Sequence, residues 1–283
     1  MLHTFLIVLV TIIWGSTFFI IKDTVVNVNE YFIVFGRTFI AAFAMLIYIL
    51  KKHPSSLKNA KTRVYGFIIG SLLGVTYISQ TIGLKFTSSG HSAFITGAAV
   101  IVVPFLLYIL YREKLSKIKI LAFLVVFIGL FLLTYDFETI INKGDLITLI
   151  TTFSLAFHII LSARYVKKSD VLALVFYQFL AATIISLSGF LLTTNQIPEL
   201  TTKSVLAILY LGFIGTLFCY FISVWVLQFV SPLKVSIIFS LEPVFAAFFA
   251  FLFAKEILSF IEIIGALLIL SGIVFYQVQE KVK

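Results

Sequence analysis

The sequence is poor in charge and nearly devoid of cysteine. Only 12% of its 283 residues are charged, against about 25% in an ordinary soluble domain. A soluble fold with half the usual charge cannot cover its surface, which excludes a cytosolic enzyme. The single Cys219 excludes a disulfide framework and a thiolate metal site. Within LGFIGTLFCYF it reads as a small packing residue. Several chemistries leave no trace in the chain. There is no GxxxxGK[ST] phosphate loop, no HExxH, no paired-His haem pattern, no Asp-rich diphosphate motif and no Gly-x-Ser-x-Gly. ATP therefore does not act here directly, and neither a cofactor nor a metal is called for. No acidic ring or carbonyl filter signature points to a channel. A Ser–His dyad built in space from His158 and a distant serine stays open, because spatial partners are invisible in one sequence.

What the chain has in abundance is apolar surface: 61% hydrophobic and 16% aromatic residues, with a mean hydropathy of +1.15. A helix crossing a bilayer needs about 20 apolar residues. Long apolar runs bounded by charges or turn residues predict ten spans, near 2–21, 31–50, 64–84, 90–111, 117–135, 146–163, 171–192, 204–228, 234–254 and 260–277. Ten spans leave no room among these residues for a soluble domain. The runs lack the alternation of a lipid-facing strand, so the expected fold class is an all-α polytopic membrane protein. The first span lacks a basic n-region and a small-x-small cleavage site, so it is expected to stay as a span rather than be cleaved as a signal peptide.

The net charge of +9 first suggests an anionic partner, but its distribution explains it better. Alternate connections hold 15 of the 21 basic residues, among them Lys51, Lys52, Lys58, Lys61, Arg63, Arg112, Lys114, Lys117, Lys119, Arg164, Lys167 and Lys168. The other connections hold five, Lys22, Lys85, Lys143, Lys203 and Lys255, and Arg37 alone lies inside a span. Basic loops mark the cytoplasmic side. Both termini are therefore expected in the cytoplasm of a cell (inner) membrane, with the bilayer rather than nucleic acid as partner. A homodimer is compatible with these residues.

At an offset of 143, AFITGAAVIVVPFLLYILYREKLS (93–116) lies over SIIFSLEPVFAAFFAFLFAKEILS (236–259). Gly129 and Tyr77 meet Gly272 and Tyr220 at the same offset, and Glu113 meets Glu256. The chain thus reads as a duplication, with five-helix repeats at 1–135 and 144–277. Five is odd, so the second copy enters the membrane from the opposite side. Inverted repeats provide two near-equivalent conformations open to opposite faces, with a ligand site near the midplane.

Ionisable groups inside a bilayer are costly and usually face a cavity or a partner. Glu242 is the deepest acid; it serves proton coupling or binds a substrate amine, or it is a neutral carboxyl bonded to a neighbouring helix. Arg37 binds an anion, or snorkels and pairs with Glu30 or Asp23. His158 lies within span 6, and His91 either caps span 4 or sits at the outer interface. Pro104 and Pro243 are expected to bend spans 4 and 9. Trp14, Ser16, Thr17, Tyr77, Gln80, Thr96, Tyr177, Gln178 and Tyr220 are expected at one depth. Such hydroxyl, amide and aromatic groups suit an amphipathic organic molecule better than an ion.

With ten spans, WGSTF in span 1, SSGHSAFITG and REKLS around span 4, and LEPVFAAFFAFLFAKEILS in span 9, the whole chain resembles the drug/metabolite transporter superfamily. More narrowly, it resembles EamA-type permeases. That resemblance implies secondary transport, typically export of amino acids, other metabolites or drugs, with nucleotide sugars moved by some relatives. It also implies a cavity lined mainly by spans 1, 3, 4, 6, 8 and 9. The residues on those spans expected to bind substrate are Trp14, Thr17, Tyr77, Gln80, His91, Thr96, His158 and Tyr220, with Glu242 as the coupling candidate. Span 6 departs from the pattern, carrying Phe157-His158 where many relatives have Trp and a small residue. A membrane-embedded enzyme and a non-transporting scaffold are the alternatives. If basic loops set the orientation, neutralising Lys51, Lys52, Lys58 and Lys61 together should disturb insertion without altering solute choice. Cysteine accessibility checks this, and an unchanged topology would count against it.

Overall fold

A computed structural model describes residues 2–134, 142–194, 196, 198–249, 251–252 and 259–281. Among them are ten helices long and apolar enough to cross a membrane. They are α1 (Leu2–Thr24), α2 (Glu30–Lys52), α3 (Ala60–Phe86), α4 (Ser89–Tyr111), α5 (Lys117–Thr134), α6 (Lys143–Lys168), α7 (Val171–Thr193), α8 (Thr202–Val226), α9 (Pro232–Phe249) and α10 (Phe260–Gln279). Each overlaps a span expected from the sequence. The paired Glu113 and Glu256 cannot be compared, since Lys255 and Glu256 lie outside the described residues. Most helix starts are closed by short polar side chains that accept orphan backbone N–H groups. Asn29, Asn59, Ser88, Asp170, Thr201 and Ser231 do so for α2, α3, α4, α7, α8 and α9, and Asn142 forms a capping box with Asp145 on α6.

The two halves form inverted five-helix repeats, and the packing shows the inversion directly. The first part of α4, Ser89–Gly97, lies on the second part of α9, Glu242–Phe249. The second part of α4, Ala99–Tyr111, lies on the first part of α9, Pro232–Phe239. Contacts between halves come in exchanged pairs: α3 on α6 with α8 on α1, α3 on α7 with α8 on α2, and α4 on α6 with α9 on α1. Helices α2 and α7, and α5 and α10, pack on their own repeat-mates. Along the last pair, a Cβ on Gly129 would lie 2.7 Å from the Gly265 carbonyl, and one on Gly272 would lie 3.1 Å from the Ala122 carbonyl. Those four positions exchange in pairs under the 143-residue offset.

Close approach of small residues replaces the hydrophobic drive that lipid cannot supply. Helix α3 crosses α7 through Gly66, Gly70 and Gly74, which lie four residues apart on one face. Added Cβ atoms there would run into Tyr177 Cβ and sit 2.5 Å from the Gln178 carbonyl and 3.3 Å from Ala182 Cα.

The break in α9 falls in the turn before Pro243, as expected, whereas the break in α4 falls well before Pro104. Helix α4 is interrupted at Ala98, and α9 at Ser240–Leu241. These positions correspond at the 143-residue offset, whereas Pro104 and Pro243 do not. Pro104 is accommodated inside Ala99–Tyr111, and Pro243 stands in the first turn of the second part of α9, where a missing N–H costs nothing. The break in α4 instead lies at the crossing of the two helices, where Gly97 lets Pro243 approach to 3.4 Å from its missing Cβ.

Gly70→Ala is expected to destabilise the protein by about 1–3 kcal/mol through overpacking against rigid backbone. Gly90→Ala, whose Cβ would meet nothing nearer than 4.0 Å, should stay within about 0.5 kcal/mol. Thermal unfolding in detergent reads both; equal shifts would contradict the close α3–α7 crossing.

Candidate functional site

Where the halves meet, the interior is aromatic and hydroxylic. Trp14 on α1 donates its indole N–H to the Gly215 carbonyl at 2.8 Å and tilts against Tyr220 with ring centroids 4.9 Å apart. Tyr77 on α3 meets Tyr220 edge-on at 5.2 Å. Residues 211–218 of α8 run as a π-helix, a geometry frequent at functional sites because it displaces the usual i→i−4 ladder. That segment presents the Gly215 carbonyl to Trp14 and the Thr216 hydroxyl to its neighbours.

Those neighbours include Arg37, the largest fully buried side chain, at 1% exposure. It neither snorkels nor pairs with Glu30 or Asp23, as its nearness to the outer end of α2 had suggested. Lys85 takes Glu30 at 3.1 Å and Lys203 takes Asp23 at 2.9 Å. Arg37 turns inward, donates from Nε to Thr216 Oγ1 at 2.8 Å, and lays its guanidinium 3.8 Å over the Tyr77 ring. A desolvated cation on an aromatic face is stabilised by about 2 kcal/mol. Burial of a charge without full pairing costs several kcal/mol, and Nη1 has no hydrogen-bond partner among the described residues.

Trp14, Thr17, Arg37, Thr76, Tyr77, Gln80, Thr96, Leu155, Tyr220 and Glu242 surround a cavity of about 20 Å³, room for about one water. Six of the expected substrate-binding residues and the coupling candidate therefore converge from α1, α3, α4, α8 and α9. Gln80 Nε2 reaches Thr96 Oγ1 at 3.5 Å. Glu242 opens the second part of α9, where the helix dipole favours a carboxylate, and it shares this cavity with Arg37 without an ion pair. Among the described residues the ion pairs are Lys85–Glu30 and Lys203–Asp23, and His91 Nδ1 stands 3.6 Å from Asp145 Oδ1.

The remaining candidates lie elsewhere. His158 sits toward the chain termini on a second void of about 10 Å³ with Trp14, Tyr220 and Ser223. Its Nε2 and Gln178 Oε1 are 2.8 Å apart, so its imidazole is engaged by an amide and not by a serine hydroxyl. His91 stands near the opposite face, 3.6 Å from Asp145; Ser88, not His91, caps α4. Three residues expected at the common depth depart from it or from the cavity. Tyr177 donates to the Leu57 carbonyl, Ser16 faces the Tyr210 hydroxyl, and Gln178 serves His158. Arg37, which the sequence offers as either an anion-binding or a snorkelling residue, lines the cavity, as do Thr76 and Leu155, which stand outside the expected set. Thr216 does not line it but accepts from Arg37 just behind it.

A larger cavity of about 530 Å³ lies toward the face opposite the termini. It is bounded by Gly15, Phe18, Lys22, His91, Pro243 and Glu262, among others. Lys22 spans its wall, donating to the Leu84 and Thr87 carbonyls at 2.7 Å each. On the terminus side, Trp14, Tyr220 and Phe239 pack together, and Tyr65 stacks on Tyr165 at 4.0 Å.

Comparison with known proteins agrees with this architecture. An uncharacterized transporter of Archaeoglobus fulgidus is 28% identical over 273 residues, covering 96% of this chain and 84% of its own. The uncharacterized transporter YoaV of Bacillus subtilis is 26% identical and covers 94% of both chains. Protein PecM of Dickeya dadantii is 26% identical over 94% of this chain and 89% of its own. A crystal structure with 15% identity superposes with a TM-score of 0.81, covering 98% of this chain and 96% of that one, which shows a shared fold. The model of the EamA-like transporter family matches twice, at residues 1–135 and again at 142–277. A multi-pass membrane chain matched over both of its halves in this way belongs to the EamA-like transporter family.

Proposed function

We propose that this protein is a secondary transporter that moves a small organic solute, on the scale of an amino acid or a drug-like amphiphile, outward across the cell membrane. Residues 1–135 and 144–277 act as two halves that rock about their crossings and expose one central site to each face in turn. The observation that carries this reading is the polar cavity shared by both halves. It is sealed by aromatic packing toward the termini and adjoins a larger cavity toward the other face. Exchanging the roles of the two inverted halves yields the opposite state, as inverted repeats permit. The matched breaks in α4 and α9 supply pliable points at the crossing. Basic loops on the terminus side support cytoplasmic termini, and in that orientation the larger cavity faces outward.

Within this reading, Trp14, Thr17, Tyr77, Gln80, Thr96 and Tyr220 contact the solute. His158 lies beneath the site, and His91 lies along the route to it. Glu242 is the coupling residue: a buried carboxyl that exchanges its proton with whichever face its cavity meets. Metabolites compared between cells lacking and cells overproducing the protein identify the solute, and counterflow in proteoliposomes measures its movement. External accumulation on overproduction is expected, and identical profiles together with absent counterflow would overturn the proposal.

Glu242→Gln is expected to lower uphill transport at least about tenfold, the scale of losing about 1.4 kcal/mol of coupling, and to flatten its pH dependence. Exchange of solute down its gradient should persist. Unchanged uphill transport with an unchanged pH profile would remove Glu242 from coupling.

A further inference from the structure

Arg37 is an expense that the fold does not recover. A guanidinium carries five N–H donors in a planar fork. Here a single Nε bond to Thr216 is its only hydrogen bond to the described residues, and Nη1 is buried without any. The buried acid Glu242 lines the same cavity yet makes no ion pair with it. The contacts Arg37 does make hold the fork in place. Tyr77 lies under its flat face at 3.8 Å, and Thr216 fixes its inner edge. Gly215 leaves the space beside Nη2 open, since a Cβ there would come within 3.5 Å of that nitrogen. The terminal nitrogens are thus oriented in advance and unspent.

We infer that Arg37 is the anchor for a carboxylate on the transported solute, and so determines its specificity. This inference rests on the transporter reading above. A fork with two free terminal nitrogens matches the two oxygens of a carboxylate, and charge-assisted bidentate pairs are both strong and geometrically selective. The charge count favours a monoanion. One guanidinium neutralises one negative charge, and Glu242 across the cavity disfavours a second. The other lining groups are neutral hydroxyl, amide and aromatic side chains, which suit an uncharged or amine-bearing remainder. Solute binding removes the unpaired donor, so Arg37 is costly in the empty protein and satisfied in the loaded one.

The test uses the full-length protein in detergent with two matched probe pairs: 3-phenylpropionate against 3-phenylpropionamide, and phenylalanine against phenylalaninamide. Each carboxylate is expected to raise the Tm of the wild-type protein more than its amide does. Arg37→Gln should abolish that difference while leaving the ligand-free Tm unchanged or higher, because it removes an incompletely paired buried charge. A merely structural arginine would instead lower it. Arg37→Lys, which keeps the charge and loses the fork, should retain the preference with about tenfold weaker binding. Equal shifts from carboxylate and amide, no shift from either pair, or a preference that survives Arg37→Gln would each overturn the assignment. Counterflow of solute in proteoliposomes, if intact, would leave the transporter reading standing in those cases. Absent counterflow beside an Arg37-dependent carboxylate preference would overturn the transporter reading alone.

Discussion

A bilayer offers no water to a buried polar group, and this constraint shapes every level of the structure. Backbone groups must be satisfied inside each segment, so the chain crosses as helices. Helices in lipid gain nothing from hiding apolar side chains from one another, so they associate by close contact of small residues and by a few internal hydrogen bonds. Gly66, Gly70 and Gly74 on α3 serve the first need, as do Gly129, Gly265 and Gly272 on α5 and α10. Many hydroxyls serve the second locally: Thr38, Thr76, Ser79, Thr183 and Ser186 donate to carbonyls one turn back on their own helices.

Against that frugal background the polar groups that do not close on their own helix stand out. Trp14, Arg37, Tyr77, Thr216, Gln80, Thr96 and Glu242 reach across helix boundaries or into one cavity. They come from both halves, and the site exists only because α3 and α4 meet α8 and α9 in antiparallel fashion. The π-helical stretch of α8 does local work there. Within it the Gly215 carbonyl accepts from the Trp14 indole and the Thr216 hydroxyl accepts from Arg37. The polar cavity and helix distortion coincide, as they do at the matched breaks of α4 and α9.

Much of this was legible in advance. Ten spans, the 143-residue repeat and the convergence of Trp14, Thr17, Tyr77, Gln80, Thr96, Tyr220 and Glu242 follow from apolar run length, constant offset and rare polar residues. The snorkelling alternative for Arg37 fails because nearness to a helix end is not access to water. In the bundle, α2 packs on α7 and α8 at that depth, and the path to the surface is closed. Pro104 misled for a related reason: a proline loosens one hydrogen bond, but where a helix yields depends on what crosses it. Tyr177 shares a residue type with the central set but not its location, and His91 lies on the larger cavity.

The sequence by itself determined how many times the chain crosses, that its halves are copies, and that the copies run in opposite senses. Run length, offset and parity are properties of the linear order. Only the tertiary structure decided which polar groups share a cavity, where α4 and α9 break, and that a buried guanidinium stays short of partners. Those outcomes depend on which faces of different helices meet, and a face has no neighbour until the helices are packed.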